Sequence, residues 1–425
     1  MDLAALLRRR PGPVPSARQA QGPGRPFRRF VRAQAASLTG SSMASVGLAF
    51  AVLATGRGAD ALGLVMTARI LPLVLVLLAG GTAADRFGSR RVMLAADLLR
   101  CAAQGTFGLL VLGGVRALAP MLVLAALAGI GEAGFGPGQS ALVPALVRPD
   151  ALVRANATLA LVRSGATILG PVLAGAVLAA AGHAGRGGRT GPAAVLLVDA
   201  ATFAVSALAL RGLVLPAPSA ASRSSTFLAD LRAGWGEFRA RTWLWATTVH
   251  LALFNLLLWA PYLVLGPLLA ARDLGGPGAW GAVMAGYGAG ALLGALLLRT
   301  WRPARPLPTG VAATALFAAS PAAFSLAAPL AVVCGGAVLS GVASSMCVTL
   351  LGSVSQQRVP PELRGRMGAF GSVGSFVLGP VGLAAAGPVA AAVGARTVLA
   401  AGALWLLAAT AAVYALPAVR RGPHA

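Results

Sequence analysis

Apolar runs of about 20 residues, broken by short segments rich in arginine, glycine and proline, make up most of the chain. A bilayer core about 30 Å thick is crossed by roughly 20 apolar residues of helix, so each run predicts a spanning helix. The runs fall at 33–55, 61–84, 92–114, 118–142, 153–181 and 193–213, then at 243–267, 277–299, 308–327, 329–355, 364–387 and 396–416. The division within 308–355 is the faintest, because only Ala327, Ala328 and Pro329 separate two helices there. The period-two alternation of a membrane barrel is absent. The pattern predicts an all-α integral membrane protein of twelve transmembrane helices in two six-helix halves, 33–213 and 243–416.

Three stretches fall outside the spans. Residues 1–32 are rich in arginine, proline and glycine and predict a basic disordered tail, since Pro11, Pro13 and Pro15 oppose a helix. Residues 417–425 form a C-terminal tail. Residues 214–242 predict a linker between the halves. Within it, Phe227, Leu228, Leu231, Trp235 and Phe238 recur at helical spacing, as in an amphipathic helix lying on a membrane surface.

Composition narrows the classes. Of 425 residues, 57% are apolar and 11% charged, with a mean hydropathy of +0.79. Soluble domains carry about 25% charged residues, so there is too little polar material to coat one. The net charge is +24 and every one of the 35 basic residues is arginine. These arginines punctuate apolar runs and form no continuous basic face with interleaved aromatics, which argues against a nucleic-acid partner. With the N-terminus in the cytoplasm, 26 arginines fall on the cytoplasmic side, 6 outside and 3 within spans. That bias is what the positive-inside rule expects, and it places both termini in the cytoplasm. Cys101, Cys334 and Cys347 lie in apolar runs with no disulfide or metal spacing.

The segment after the second run reads Gly81-x-x-x-Asp85-Arg86-x-Gly88-x-Arg90-Arg91. Here the chain resembles the major facilitator superfamily, whose signature between its second and third helices it matches. The corresponding segment of the second half, 299–307, lacks the acid. In the fifth run, Gly165, Gly170, Pro171 and Gly175 are similar to the Gly-Pro motif of antiporters in that superfamily, with Ala174 where a second glycine is common. The segments 134–144, 155–157 and 356–366 resemble its proton-coupled drug, macrolide and siderophore exporter branch. The arginine usual in the fourth helix of such antiporters is missing, and Glu132 is the charge in that span.

Charges inside a membrane cost about 2.5–3.5 kcal/mol each on insertion scales and read as functional by default. They are Arg69, Asp97, Arg100, Glu132, Arg163 and Asp199, all in the first half. Glu132 and Arg163 share a depth on consecutive helices, which predicts an ion pair with a proton-exchanging carboxylate. Asp97 and Arg100 are three residues apart and predict a pair along one helix face. With Asp85, Arg86, Arg90 and Arg91 they form a candidate cytoplasmic gate. Arg69 and Asp199 pair only if their helices are neighbours.

By the resemblance, the first, fourth, seventh and tenth helices line a central cavity. This makes Gln34, Ser41, Ser45, Asn255, Trp259 and Tyr262 candidate substrate contacts. His250 reads as a core histidine near the start of its span. No Gly-Lys-Ser/Thr loop, catalytic constellation or metal cluster is visible, so neither an enzyme nor a cofactor is expected.

The resemblance implies a cell-membrane transporter; a monomer is expected, and the arginine-only basic set with abundant alanine and glycine points to a GC-rich genome and so to a bacterium. The transporter would export an amphipathic drug, macrolide-like metabolite or siderophore in exchange for protons by alternating access. A facilitator or importer of a small anionic nutrient is the alternative on the same fold. A non-transporting scaffold or sensor is the alternative from another class.

Overall fold

The computed structural model describes residues 24–87, 89–148, 151–183, 188–212, 236, 238–358, 374 and 377–420, with side chains at 76–87, at several positions between 136 and 145, and at 153, 182, 183 and 356 excepted. Every regular element among them is helical. The first half contains α1 (Arg25–Leu53), α2 (Ala59–Phe87), α3 (Ser89–Leu112), α4 (Leu118–Leu146), α5 (Leu152–His183) and α6 (Thr190–Arg211). The second contains α7 (Thr242–Asp273), α8 (Pro277–Thr300), α9 (Pro306–Ser325), α10 (Leu330–Arg358), α11 (Gly379–Val393) and α12 (Ala395–Ala415). Ten of these are long and apolar enough to cross a membrane, and α2 and α11 bring the count to twelve. Leucines such as Leu75, Leu109, Leu161, Leu208 and Leu404 are exposed around the bundle, as lipid-facing side chains are.

The first helix starts at Arg25, earlier than the apolar run, so residues 25–32 belong to α1 and not to a disordered tail. Pro26 suits a first helical turn, and Phe27 and Phe30, three apart, are buried against Met93, Phe135, Leu142 and Leu210. The arginines between them hid this apolar face. Of the predicted linker helix, Phe227, Leu228, Leu231 and Trp235 lie outside the described residues, while Phe238 is buried against Trp243, Leu307, Val354 and Val419.

Two helices depart from regular geometry at prolines. In α7, a π-helical turn spans Asn255–Trp259 just before Pro261. A proline ring clashes with the carbonyl four residues back and donates no hydrogen bond, and a widened turn accommodates both defects. In α9, a 3₁₀ stretch at Thr314–Ala318 precedes Pro321. The Ser340 hydroxyl of α10, which donates to the Gly336 carbonyl at 3.0 Å, also lies 3.4 Å from the Phe317 carbonyl, the one that Pro321 cannot reach with an N–H.

The helices run alternately between two faces: a terminal face, where α1 begins and α12 ends, and a distal face. Within the first half, α2 packs on α4, α3 on α4 and α6, and α1 on α5 and α6. The halves meet where α2 packs on α11 and α5 on α8. Both contacts lie toward the distal face. Gly63 approaches the Leu383 carbonyl so closely that a Cβ would sit 2.1 Å from it, and the Thr67 hydroxyl is shared between the Gly63 carbonyl of its own helix at 2.7 Å and the Pro380 carbonyl at 3.0 Å. One apolar core runs through both halves at this end, from Leu62 and Leu196 to Leu265 and Leu383. Toward the terminal face the cores are separate: one around Phe27, Phe30 and Met93, another around Trp243, Leu307 and Val311.

Candidate functional site

The interior of the first half holds a layer of charge. Arg69 of α2 donates to Glu132 of α4 at 3.0 Å. The two helices meet closely because Gly129, one turn from Glu132, faces the Arg69 backbone; a Cβ there would come within 1.9 Å of its carbonyl. Asp97 and Arg100 form an ion pair along α3, with Asp97 wholly buried. The Arg100 guanidinium also lies over the rings of Phe135 and Phe203, 4.6 and 4.2 Å from their centroids. Such cation–π contacts help to hold a cation out of water. Gln104 of α3 donates to Asp199 of α6 at 2.9 Å.

The expected partner of Glu132 is therefore corrected. Its carboxylate meets Arg69, whereas Arg163 is exposed on α5. The reason is topological: α4 packs on α2 and α3, while α5 packs on α1 and α8. Depth placed Glu132 and Arg163 in one layer but not on adjoining faces. Arg69 and Asp199, the other open pair, find separate partners in Glu132 and Gln104.

The signature segment is only partly in view. The backbone is helical through Asp85 and Arg86 to Phe87, and α3 begins at Ser89; Gly88 lies outside the described residues. The side chains of Asp85 and Arg86 lie outside the described residues. Arg90 donates to the carbonyl of Arg211 at the end of α6 at 2.9 Å, and Arg91 is exposed. In α5, Gly170 abuts Ser42 of α1, where a Cβ would sit 2.3 Å from the serine Cβ, and Gly175 faces Gly278 of α8 at 3.5 Å. A Cβ on Gly165 would meet nothing within 4 Å. The helix continues through Pro171, whose carbonyl lies against Gly281. These small residues thus bring α5 against both α1 and the other half.

The interior of the second half is aromatic. Beside the π-helical turn, Trp259 packs on Tyr287 of α8, with ring centroids 5.3 Å apart, and on Phe317 of α9 at 5.8 Å. Phe254 adds a further ring, 4.7 Å from Phe317. Trp259 and Tyr287 are half-buried, so this cluster is not sealed. Tyr262 differs from its expectation as a substrate contact in this conformer. It is 3% exposed, and its hydroxyl bonds to Ser320 at 2.8 Å. Asn255 is buried with its amide on the Leu251 carbonyl. His250 is buried, bonded to Thr314 at 2.9 Å, and Thr314 in turn meets Thr410 at 3.0 Å. On α1, Gln34 is buried, Ser41 is half-buried, and Ser45 is exposed with its hydroxyl on the Ser42 carbonyl. Tyr287 and Phe317 escaped the sequence reading, because single aromatics within apolar runs carry no periodic signal.

Two six-helix halves, joined by α2–α11 and α5–α8 around an interior charged on one side and aromatic on the other, are the geometry on which similarity to known proteins bears. The family model of the Major Facilitator Superfamily matches residues 33–383. The chain belongs to that superfamily. Among curated relatives, the multidrug efflux pump Tap of Mycobacterium tuberculosis (strain ATCC 25618 / H37Rv) is 33% identical over 182 residues, 41% of this chain and 41% of Tap. The alignment thus spans well under half of that relative's length. The solved structure of the nucleoside transporter NupG superposes with a TM-score of 0.70 at 12% identity, covering 92% of this chain and 99% of that one. A bacterial homologue of the iron transporter ferroportin, in its inward-facing state, gives 0.69 at 16% identity, over 92% of this chain and 99% of that one. At such identities the structures establish the fold. The superfamily's transporters bind small molecules within the bilayer, and family and fold mark this chain as a multi-pass membrane transporter.

Proposed function

We propose that this transporter exports amphipathic small molecules from the cell in exchange for protons. The observation that carries the reading is the Arg69–Glu132 pair. It sets an ionisable carboxylate, its side chain 41% exposed, in the interior of the first half. Such a group can take up a proton when its cation moves away, because the neighbouring guanidinium is what favours its ionised form. Across the interior, Trp259, Tyr287 and Phe317 offer an apolar, aromatic surface to a lipophilic ligand. The partial likeness to a multidrug efflux pump supports the same direction.

The arginine-rich terminal face is the cytoplasmic one by the positive-inside rule, so the conformer described here opens to the cytoplasm. Rocking of the halves would then separate the distal seam and bring the terminal ends together, where Asp85, Arg86, Arg90 and Arg91 would close the cytoplasmic side, with Asp97 and Arg100 bracing α3 behind them. The protein acts as a monomer in a bacterial cell membrane on this reading.

A dye and drug efflux panel in cells, with and without collapse of the proton gradient, tests the proposal. Wild-type protein is expected to lower accumulation only while the gradient stands. Arg69→Gln and Glu132→Gln are expected to abolish the gradient-dependent part, while Arg163→Gln keeps it. Gradient-independent flux, or net accumulation of a small anion, would overturn proton-driven export in favour of a facilitator or an importer.

A further inference from the structure

The charged layer of the first half does not balance. Among the described residues, its buried and half-buried interior contains three carboxylates, Asp97, Glu132 and Asp199, and two guanidinium groups, Arg69 and Arg100. Each guanidinium is engaged by one carboxylate: Arg69 by Glu132, and Arg100 by Asp97. Asp199 is left over. It is 0% exposed, its Oδ2 receives the neutral Gln104 amide, and its Oδ1 has no hydrogen-bond partner among the described residues. That oxygen lies beside Gly40 of α1, where a Cβ would come within 2.8 Å of it, and the neighbouring Thr202 hydroxyl donates instead to the Asp199 main-chain carbonyl at 2.7 Å.

Among the described residues, the charged groups within electrostatic reach of Asp199 are Arg69 of α2, Arg100 of α3 and Glu132 of α4, and the Cys101 thiol of α3 also lies within that reach. From α1 the neighbouring polar side chains are neutral, and Arg163 of α5 is exposed. An ionised carboxylate so placed would be an uncompensated charge in a dry interior, which costs far more than a neutral acid with one unmet hydrogen bond.

We infer that Asp199 is a proton-binding site, holding a proton in this conformer while Glu132 and Asp97 are ionised. The geometry also gives the proton a route. Arg69 lies within electrostatic reach of both Asp199 and Glu132 and donates a hydrogen bond to the latter. If its guanidinium moves to Asp199, the Asp199 O–H breaks, its electron pair stays on the carboxylate, and Glu132 takes up one proton. The layer holds one proton before and after, transferred from a sealed acid to one whose side chain reaches solvent. This inference rests on the proton-antiport reading for its role in transport, but the occupancy of the site is independent of it.

The test is difference infrared spectroscopy of the purified full-length protein at neutral pH. The expected result is a C=O stretching band of a protonated carboxylic acid that shifts when the protein is grown with ¹³C-labelled aspartate. The band should be lost in Asp199→Asn and kept in Glu132→Gln. Should Asp199→Asn fail to fold, Gln104→Leu serves, because removing the one donor to Asp199 must displace the band. Absence of the band from wild type, no shift with labelled aspartate, or no response to Asp199→Asn and Gln104→Leu would overturn the inference. Efflux that ignores the proton gradient would retire the antiport reading while leaving the band to decide the site.

Discussion

The two halves repeat one architecture and fill it with opposite chemistry. In α1–α6 the interior carries Arg69, Asp97, Arg100, Glu132 and Asp199, linked by ion pairs and an amide. In α7–α12 the charged side chains among the described residues sit near helix ends, as in the Arg396–Asp273 pair at 3.0 Å, and the interior contains rings and hydroxyls. The contrast teaches that a duplicated fold fixes helix packing but not what the packing encloses. One half is free to handle charge while the other handles shape and apolar contact.

The sharpest way to break the comparison is at Arg100. Arg100→Met leaves Asp97 buried without its cation, and removal of one partner from a buried pair costs about 3–5 kcal/mol. A large fall in the melting temperature of the detergent-solubilised protein is expected, with most of it recovered when Asp97→Asn is added. If the double variant is as unstable as the single one, the ion pair is not what holds α3 in place.

Packing, by contrast, should respond alike in both halves. Gly129 of α4 and Gly290 of α8 each face a carbonyl of a neighbouring helix, Arg69 and Val338 respectively, and a Cβ on either would lie 1.9 Å from it. Overpacking of this kind costs about 1–3 kcal/mol. Gly129→Ala and Gly290→Ala are expected to lower the melting temperature by similar amounts, and a difference of several-fold would show that the halves differ in stiffness as well as in charge.

A hydroxyl in the second half should matter less than the ion pair in the first. Thr410→Val removes one neutral contact from the His250–Thr314–Thr410 chain, with an expected loss of about 0.5–1.5 kcal/mol in the same melting assay. The smallest effect comes from equivalent turns. The α3–α4 turn has Gly114 at φ 76°, while the α9–α10 turn has Ala327 at φ 51°. A left-handed backbone costs a non-glycine residue about 1–2 kcal/mol, partly offset by the greater entropy glycine loses on folding. Ala327→Gly is thus expected to raise stability by up to about 1 kcal/mol. Gly114→Ala should lower it, the more so because its Cβ would meet the Arg189 guanidinium at 2.3 Å.

Sequence patterning revealed the helices far better than their neighbours. Lipid imposes long apolar runs, so hydropathy alone found twelve spans, and even the faint break at Ala327 proved to be a turn. Where it failed, polar residues masked an apolar face, as with Phe27 and Phe30 among the arginines of α1. Depth along a helix is also legible, since each residue advances a helix by a fixed rise, and it correctly set Glu132 among the interior charges. The azimuth is not. Which helix lies beside α4 is decided by close approaches such as Gly129 on Arg69, and a glycine in an apolar run looks the same whether it meets lipid or a carbonyl. Asp97 and Arg100 were easier because their pairing lies within one helix.

The glycine-to-carbonyl approaches at the distal seam have a mechanical consequence. At Gly63 and Leu383, and again at Gly281 and Pro171, backbone meets backbone with no flexible side chain between them. Such a joint has nothing to stretch or rearrange as it is pulled: it is either shut or parted. A fastening of this kind discourages half-ajar states, in which a leak would run straight through the membrane.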